Sequence, residues 1–368
     1  MAAKSGDRRS EAWALQSLSW HAFVRGQVGS ASGLVGQAIE IFAELGDRSG
    51  LAWARGVQAW VAFHNGEWDT ARELVTAVLP EARRQGDPFA ESIMLNLGAA
   101  LSLWSGRAAE ARVMAQRAQR VAERAEDQGV VVQAMALEGR AMVSLGLIAE
   151  GTELLERAYV TADRLGDRDS RRTAIIANCS SAARLGEPER AIRWAARSDG
   201  GHDDPTNVGE ADLTAALALA MLQRGAVVEA ESQLSWADSE ADTGSYELAV
   251  AAVAAAMQGR HEDLDRCVNR VASGASTYLD RTLALMAKAA GRRRRGDDEG
   301  CAAAIAAANV ELDETDDYTS RLLLDLAAAF CGHGELGLAE QQMESSGLDP
   351  AGWRTIWSLA TAAVPSQH

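Results

Sequence analysis

The sequence predicts an all-α fold, a right-handed α-α superhelix (solenoid) of helix hairpins with about 40 residues per repeat. Three observations carry this reading: a ladder of evenly spaced glycines, an apolar content dominated by alanine, and very little proline. At 368 residues the chain exceeds one ordinary globular core, so it is either two domains or an elongated array. Hydrophobic residues make up 47% but aromatics only 5%, and alanine fills much of the difference. Alanine has the highest helix propensity, whereas sheets draw on β-branched and aromatic residues. Several of the 6 prolines stand where helices are expected to begin.

The ladder consists of Gly26, Gly66, Gly106, Gly146 and Gly186, at a constant step of 40. Each glycine follows one apolar helical stretch and precedes another, as in WHAFVRG, WVAFHNG and LSLWSGR. A second mark keeps the same step: Gly46-Asp47, Gly86-Asp87 and Gly166-Asp167, with Glu126-Asp127 in the missing slot. Two turn signals per unit mean two helices per unit. Glycine supplies the left-handed conformation that ends a helix, and the Asp or Pro that follows opens the next.

Small residues identify the hairpin. Seven positions before each turn glycine stand Ser19, Ala59, Ala99, Gly139 and Cys179; five positions after it stand Ala31, Ala71, Ala111, Gly151 and Ala191. These are the expected crossing points of the two helices, where a bulky side chain would push them apart. The pairing resembles the tetratricopeptide repeat, whose usual unit is about 34 residues, with roughly one more turn per hairpin here. HEAT repeats share the longer period but not the pairing, and are the alternative. The pattern is regular over residues 10–198, after a disordered N-terminus at 1–9. A polar, breaker-rich loop or joint follows at 199–209. Residues 210–368 read as a degenerate tetratricopeptide-like array, with turns expected at Gly225, Gly259, Gly296 and Gly334 and a C-terminal capping helix from Trp353 to Ala363.

Trp13, Trp20 and Phe23 recur 40 residues later as Trp53, Trp60 and Phe63, and Trp104 extends the aromatic series. Offsets of 7 and 3 place each set on one face of the first helix of its hairpin. In the repeat family these helices line the concave surface, so the seven aromatics form a candidate groove for an apolar peptide, a partner helix or a small effector. The competing reading is inter-repeat core packing, the commoner fate of an apolar stripe at helical spacing.

The residues argue against catalysis, and no cofactor or metal is expected. Gly332, Gly334 and Gly337 make a formal GxGxxG, but the preceding RLLLDLAAAF reads as a helix where a dinucleotide site needs a strand. Neither Lys4 nor Lys288 completes a P-loop, and the six histidines form no ligand pair beyond Cys331 and His333. Cys179, Cys267, Cys301 and Cys331 are widely spaced and read as reduced, buried hydrophobes of a cytoplasmic protein. A net charge of −16 disfavours direct nucleic-acid binding, and no apolar run reaches membrane-spanning length. The run Arg292 to Arg295 reads as a solvated helix end neutralised by the acidic residues after it.

With repeats running EAWALQSLSWHAFVRG, GLAWARGVQAWVAFHNG and IEIFAELGDRSG, the chain resembles the C-terminal repeat region of large bacterial signalling proteins. These are class III adenylate/guanylate cyclase fusions and signal-transduction ATPase type transcriptional regulators. The resemblance covers most of residues 10–198. It implies either a non-enzymatic scaffold that binds a protein or peptide in its concave groove, or an effector-sensing regulatory module. The cyclase's metal-binding carboxylates and the ATPase's P-loop are both missing from the sequence, so no activity carries over.

Overall fold

The computed structural model describes residues 7–198, 210–234 and 244–362, and every regular element among them is a helix. The expected joint at 199–209, the first six residues and Ala363 lie outside the described residues. Five hairpins come first: α1 (Arg8–Val24) with α2 (Val28–Glu44), α3 (Arg48–His64) with α4 (Trp68–Gln85), α5 (Pro88–Trp104) with α6 (Ala108–Arg124), α7 (Gln128–Ser144) with α8 (Ile148–Leu165), and α9 (Arg168–Arg184) with α10 (Pro188–Ala195). Four more follow: α11 (Glu210–Gln223) with α12 (Val227–Gln233), α13 (Ser245–Gln258) with α14 (His261–Ser273), α15 (Tyr278–Arg294) with α16 (Asp298–Asp313), and α17 (Tyr318–Phe330) with α18 (Leu336–Ser345). A last helix, α19, spans Ala351–Thr361.

The expected punctuation decides where these helices end. All five ladder glycines sit at positive φ, between +73° and +82°, and Gly46, Gly86 and Gly166 do the same between hairpins. In the missing slot Glu126 itself adopts φ +56°, and no other described non-glycine residue has a positive φ. Asp47, Asp87, Asp127 and Asp167 then cap the next helix, their carboxylates accepting from the backbone N–H of Gly50, Ala90, Val130 and Ser170. In the second half the turns fall at Gly225, Gly259 and Gly296 as expected. The last falls at Gly332 (φ +84°) rather than Gly334, because α17 stops at Phe330 with Cys331 as its C-cap.

The small-residue pairs lie at the hairpin crossings and are buried. Ser19 donates its hydroxyl to the Ala31 carbonyl at 2.7 Å, and the Cys179 thiol donates to the Ala191 carbonyl at 3.4 Å. At the crossing where both residues are glycine, a methyl group on Gly139 would stand 2.9 Å from the Gly151 carbonyl oxygen. Burial raises the thiol pKa of all four free cysteines, that of Cys179 to about 12, as fits small core residues.

Odd-numbered helices pack on the next odd-numbered helix along the stack, while the even-numbered ones make no comparable contact with each other. The odd helices therefore form the inner, concave layer. Their burial agrees: every residue from Met94 to Leu103 of α5 is buried, whereas outer α6 buries only a stripe of Ala108, Ala111, Ala115, Ala118, Val121 and Ala122.

The array also closes on itself. The Asp316 carboxylate accepts from Ala108 N and Ala109 N, at 2.5 and 2.8 Å, and so caps α6 from 208 and 207 residues away in sequence. Arg184 at the end of α9 pairs with the fully buried Asp317 carboxylate, which also accepts from the Tyr278 hydroxyl at 2.6 Å. The Thr319 hydroxyl donates to the Val143 carbonyl at 2.5 Å. Helix α19 packs on inner helices α11, α13, α15 and α17, and the Trp353 indole donates to the Arg184 carbonyl at 3.0 Å. The arginine run ends α15 as expected: Arg292 meets Asp265 and Asp297, and Arg293 meets Asp298.

Candidate functional site

Inner helices α1, α3 and α5 enclose a cavity of about 180 Å³ on the concave layer. Trp20, Trp53, Trp60, Phe89, Ile93 and Met94 supply its apolar walls, with Gln16 and His21 toward α1. Only Val78 among the lining residues comes from an outer helix. Gly56 leaves the wall open where a methyl group would press within 3.2 Å of the Met94 Cε. Trp53 is held rigidly: its indole donates to the Asp87 carboxylate at 2.9 Å and its ring stacks on Phe89 at 5.0 Å. A second hollow of about 280 Å³ adjoins the first across Ala52 and Val78, edged by Arg48, Arg55, Glu81 and Arg84.

The seven aromatics singled out by the repeat fall into two groups. Trp20, Trp53 and Trp60 meet around the cavity. Trp13 instead turns into the first hairpin, its ring edge-on to Phe42 at 5.1 Å. Phe23 is buried between Trp20 and Trp60, at centroid distances of 5.7 and 6.3 Å. Phe63 joins Trp60 at 6.0 Å to Trp104 at 5.6 Å, both edge-on. The result is an aromatic ladder along the inner layer from α1 to α5. It ends on the Arg140 guanidinium of α7, which lies over Trp104 at 4.8 Å. Phe89 and Met94 escape a search at the 40-residue step, since Ser49 and Ala54 stand in their places one repeat earlier.

Beyond Arg140 the inner surface turns polar. Asp212 on α11 and Tyr246 on α13 are half-buried and lie near enough to Arg140 to feel its charge. Burial raises the Asp212 carboxyl pKa while the Arg140 charge opposes the rise. Burial likewise depresses the Arg140 guanidinium pKa, opposed by Asp212. The Tyr246 phenol pKa is raised by burial first, then by the surrounding negative groups.

The chain is similar in structure to a Rap protein crystallised in complex with Competence and Sporulation Factor. The TM-score is 0.61 at 11% identity, over 92% of this chain and 99% of that one. The fold is a tetratricopeptide-like helical repeat. No family model matches the sequence, and no curated protein does. None of the described helices is long and apolar enough to cross a membrane.

Proposed function

We propose that this tetratricopeptide-like chain is a non-enzymatic scaffold that binds a peptide, or a peptide-like segment of a partner protein, along its inner helices. The observation that carries this reading is the cavity of Trp20, Trp53 and Trp60, built by three successive inner helices and left unfilled by side chains. Rigid tryptophans around a concave hollow are the usual anchor points of an interface, because little entropy is lost when they are covered. A volume of about 180 Å³ suits one or two large side chains and falls below the several hundred Å³ of small-molecule sites. That favours a peptide over a free effector. The structural neighbour's capture of Competence and Sporulation Factor is in keeping with a binding role for such a stack. The resemblance to bacterial regulators suggests that the scaffold serves an effector-sensing module.

Selection of a random dodecapeptide library on the immobilised full chain tests the proposal. Enriched peptides should carry a large apolar residue. They should bind the Trp53→Ala/Trp60→Ala variant more weakly by about 2 kcal/mol, roughly thirtyfold. Circular dichroism of the variant should still show the helical array. Absence of enrichment, or peptides indifferent to both substitutions, would sink the binding reading.

A further inference from the structure

The inner surface carries two register columns, at thirteen and six residues before each turn glycine. In the first repeats they hold Trp13 and Trp20, then Trp53 and Trp60. Further along, the column six before the turn holds Ala100, then Arg140 before Gly146, then Ser180. The column thirteen before the turn holds Ile93, Gln133 and Thr173, then Asp212 before Gly225 and Tyr246 before Gly259. Positions that form an aromatic cavity at the amino-terminal end thus become charged and polar at the centre of the same track.

Side-chain partners sharpen the contrast. Most arginines of this acidic chain are tied to a carboxylate or a backbone carbonyl, as Arg184 is to Asp317. Among the described residues Arg140 forms no ion pair; its guanidinium is held by the Trp104 ring alone. The Asp212 side chain forms no hydrogen bond or ion pair among the described residues either, and it stands on inner helix α11 in the column thirteen before the turn. Both side chains are half-buried, so a charged group laid along the inner surface would find each of them unpaired by the chain's own ions.

We infer that Arg140 is a second subsite of the proposed peptide track, reading a carboxylate on the bound segment, with Asp212 favouring a cationic group beside it. This rests on the peptide-binding reading above. Adjacent inner helices stand about 8–10 Å apart, so α3 and α7 are separated by about 20 Å. An extended chain covers that span in about six residues. The ligand class is therefore an extended peptide with a large apolar residue at one end and an acidic residue about six positions away. A guanidinium held flat on an aromatic ring presents its edge to a carboxylate without needing to be ordered on binding.

The dodecapeptides selected above provide the probe. Enriched peptides should share an Asp or Glu about six residues from the apolar anchor. In the best of them, changing that acid to Asn or Gln should weaken binding to the native chain about tenfold, the value of one charged hydrogen bond. The same change should cost less than twofold on the Arg140→Gln variant, and Arg140→Lys should retain part of the preference. Asp212→Asn should relax any preference for Lys or Arg next to the acid. Equal loss on the native chain and on Arg140→Gln would overturn the inference while leaving the tryptophan anchor standing. An acid enriched beside the anchor, where Arg48 and Arg55 flank the adjoining hollow, would overturn it too. Peptides insensitive to Trp53→Ala/Trp60→Ala would instead count against the binding reading itself.

Discussion

The two ends of the array use tryptophan on the inner layer in opposite ways. At the amino-terminal end Trp20, Trp53 and Trp60 are half-buried around a cavity. At the carboxyl-terminal end Trp353 and Trp357 of α19 stack at 5.8 Å and are 2% and 0% exposed. There the chain covers inner helices α11, α13, α15 and α17 with a helix of its own, while α1, α3 and α5 receive no such cover among the described residues. The concave layer is thus closed by the fold at one end and left uncovered by any described helix at the other. Substitutions should separate the two roles.

The largest expected effect is on the covered end. Trp357→Ala removes a fully buried side chain from the junction of α19 with the inner helices and should lower unfolding stability by about 3–5 kcal/mol. Trp53→Ala, at a half-buried site, should cost much less stability and far more peptide binding. Urea unfolding of both variants checks this, and equal destabilisation would mean that the amino-terminal tryptophans are core rather than groove.

Next in size is the closure. Asp317→Ala leaves the Arg184 guanidinium without its carboxylate and Ser320 without its helix cap, a loss of about 3 kcal/mol for a broken buried pair. A plain solenoid gathers its stability from neighbouring repeats, but this contact joins α9 to α17 across 133 residues of sequence. The variant should therefore unfold in two transitions where the native chain should unfold in one. A single transition shifted as a whole would mean that the halves are coupled by other contacts, such as Asp316 on the amino terminus of α6.

Much of the architecture was readable because the repeat is made of local rules. A left-handed glycine, an Asp cap and a pair of small residues each act within one hairpin, so they recur at a fixed step and are visible without coordinates. The closure is not local. Asp316 and Thr319 look like ordinary turn residues, and only the folded chain brings them to Gly106 and Val143. The site was partly legible for the same reason. Trp20, Trp53 and Trp60 repeat in type, whereas Arg140 keeps their register but not their chemistry, and a search for recurring aromatics passes over it. Turn spacing shortens in the second half, and with two glycines on offer the chain turns at Gly332 rather than at the expected Gly334.

The smallest effect concerns the regular half and runs the other way. Glu126 takes the place that glycine holds at 46, 86 and 166, and it adopts the same left-handed backbone. For a residue with a side chain that conformation costs about 1–2 kcal/mol. Glycine would relieve the cost but lose about 0.4–1 kcal/mol through the greater freedom of its unfolded chain. Glu126→Gly should then raise stability by about 0.5–1 kcal/mol, read as a higher urea midpoint at unchanged slope. The turn lies between outer α6 and inner α7, away from the tryptophan cavity, so peptide affinity should not move. A destabilised variant would mean that the Glu126 side chain makes a contribution outweighing its backbone strain. Repeat regularity would then be a weaker guide to stability in this array than the glycine ladder suggests.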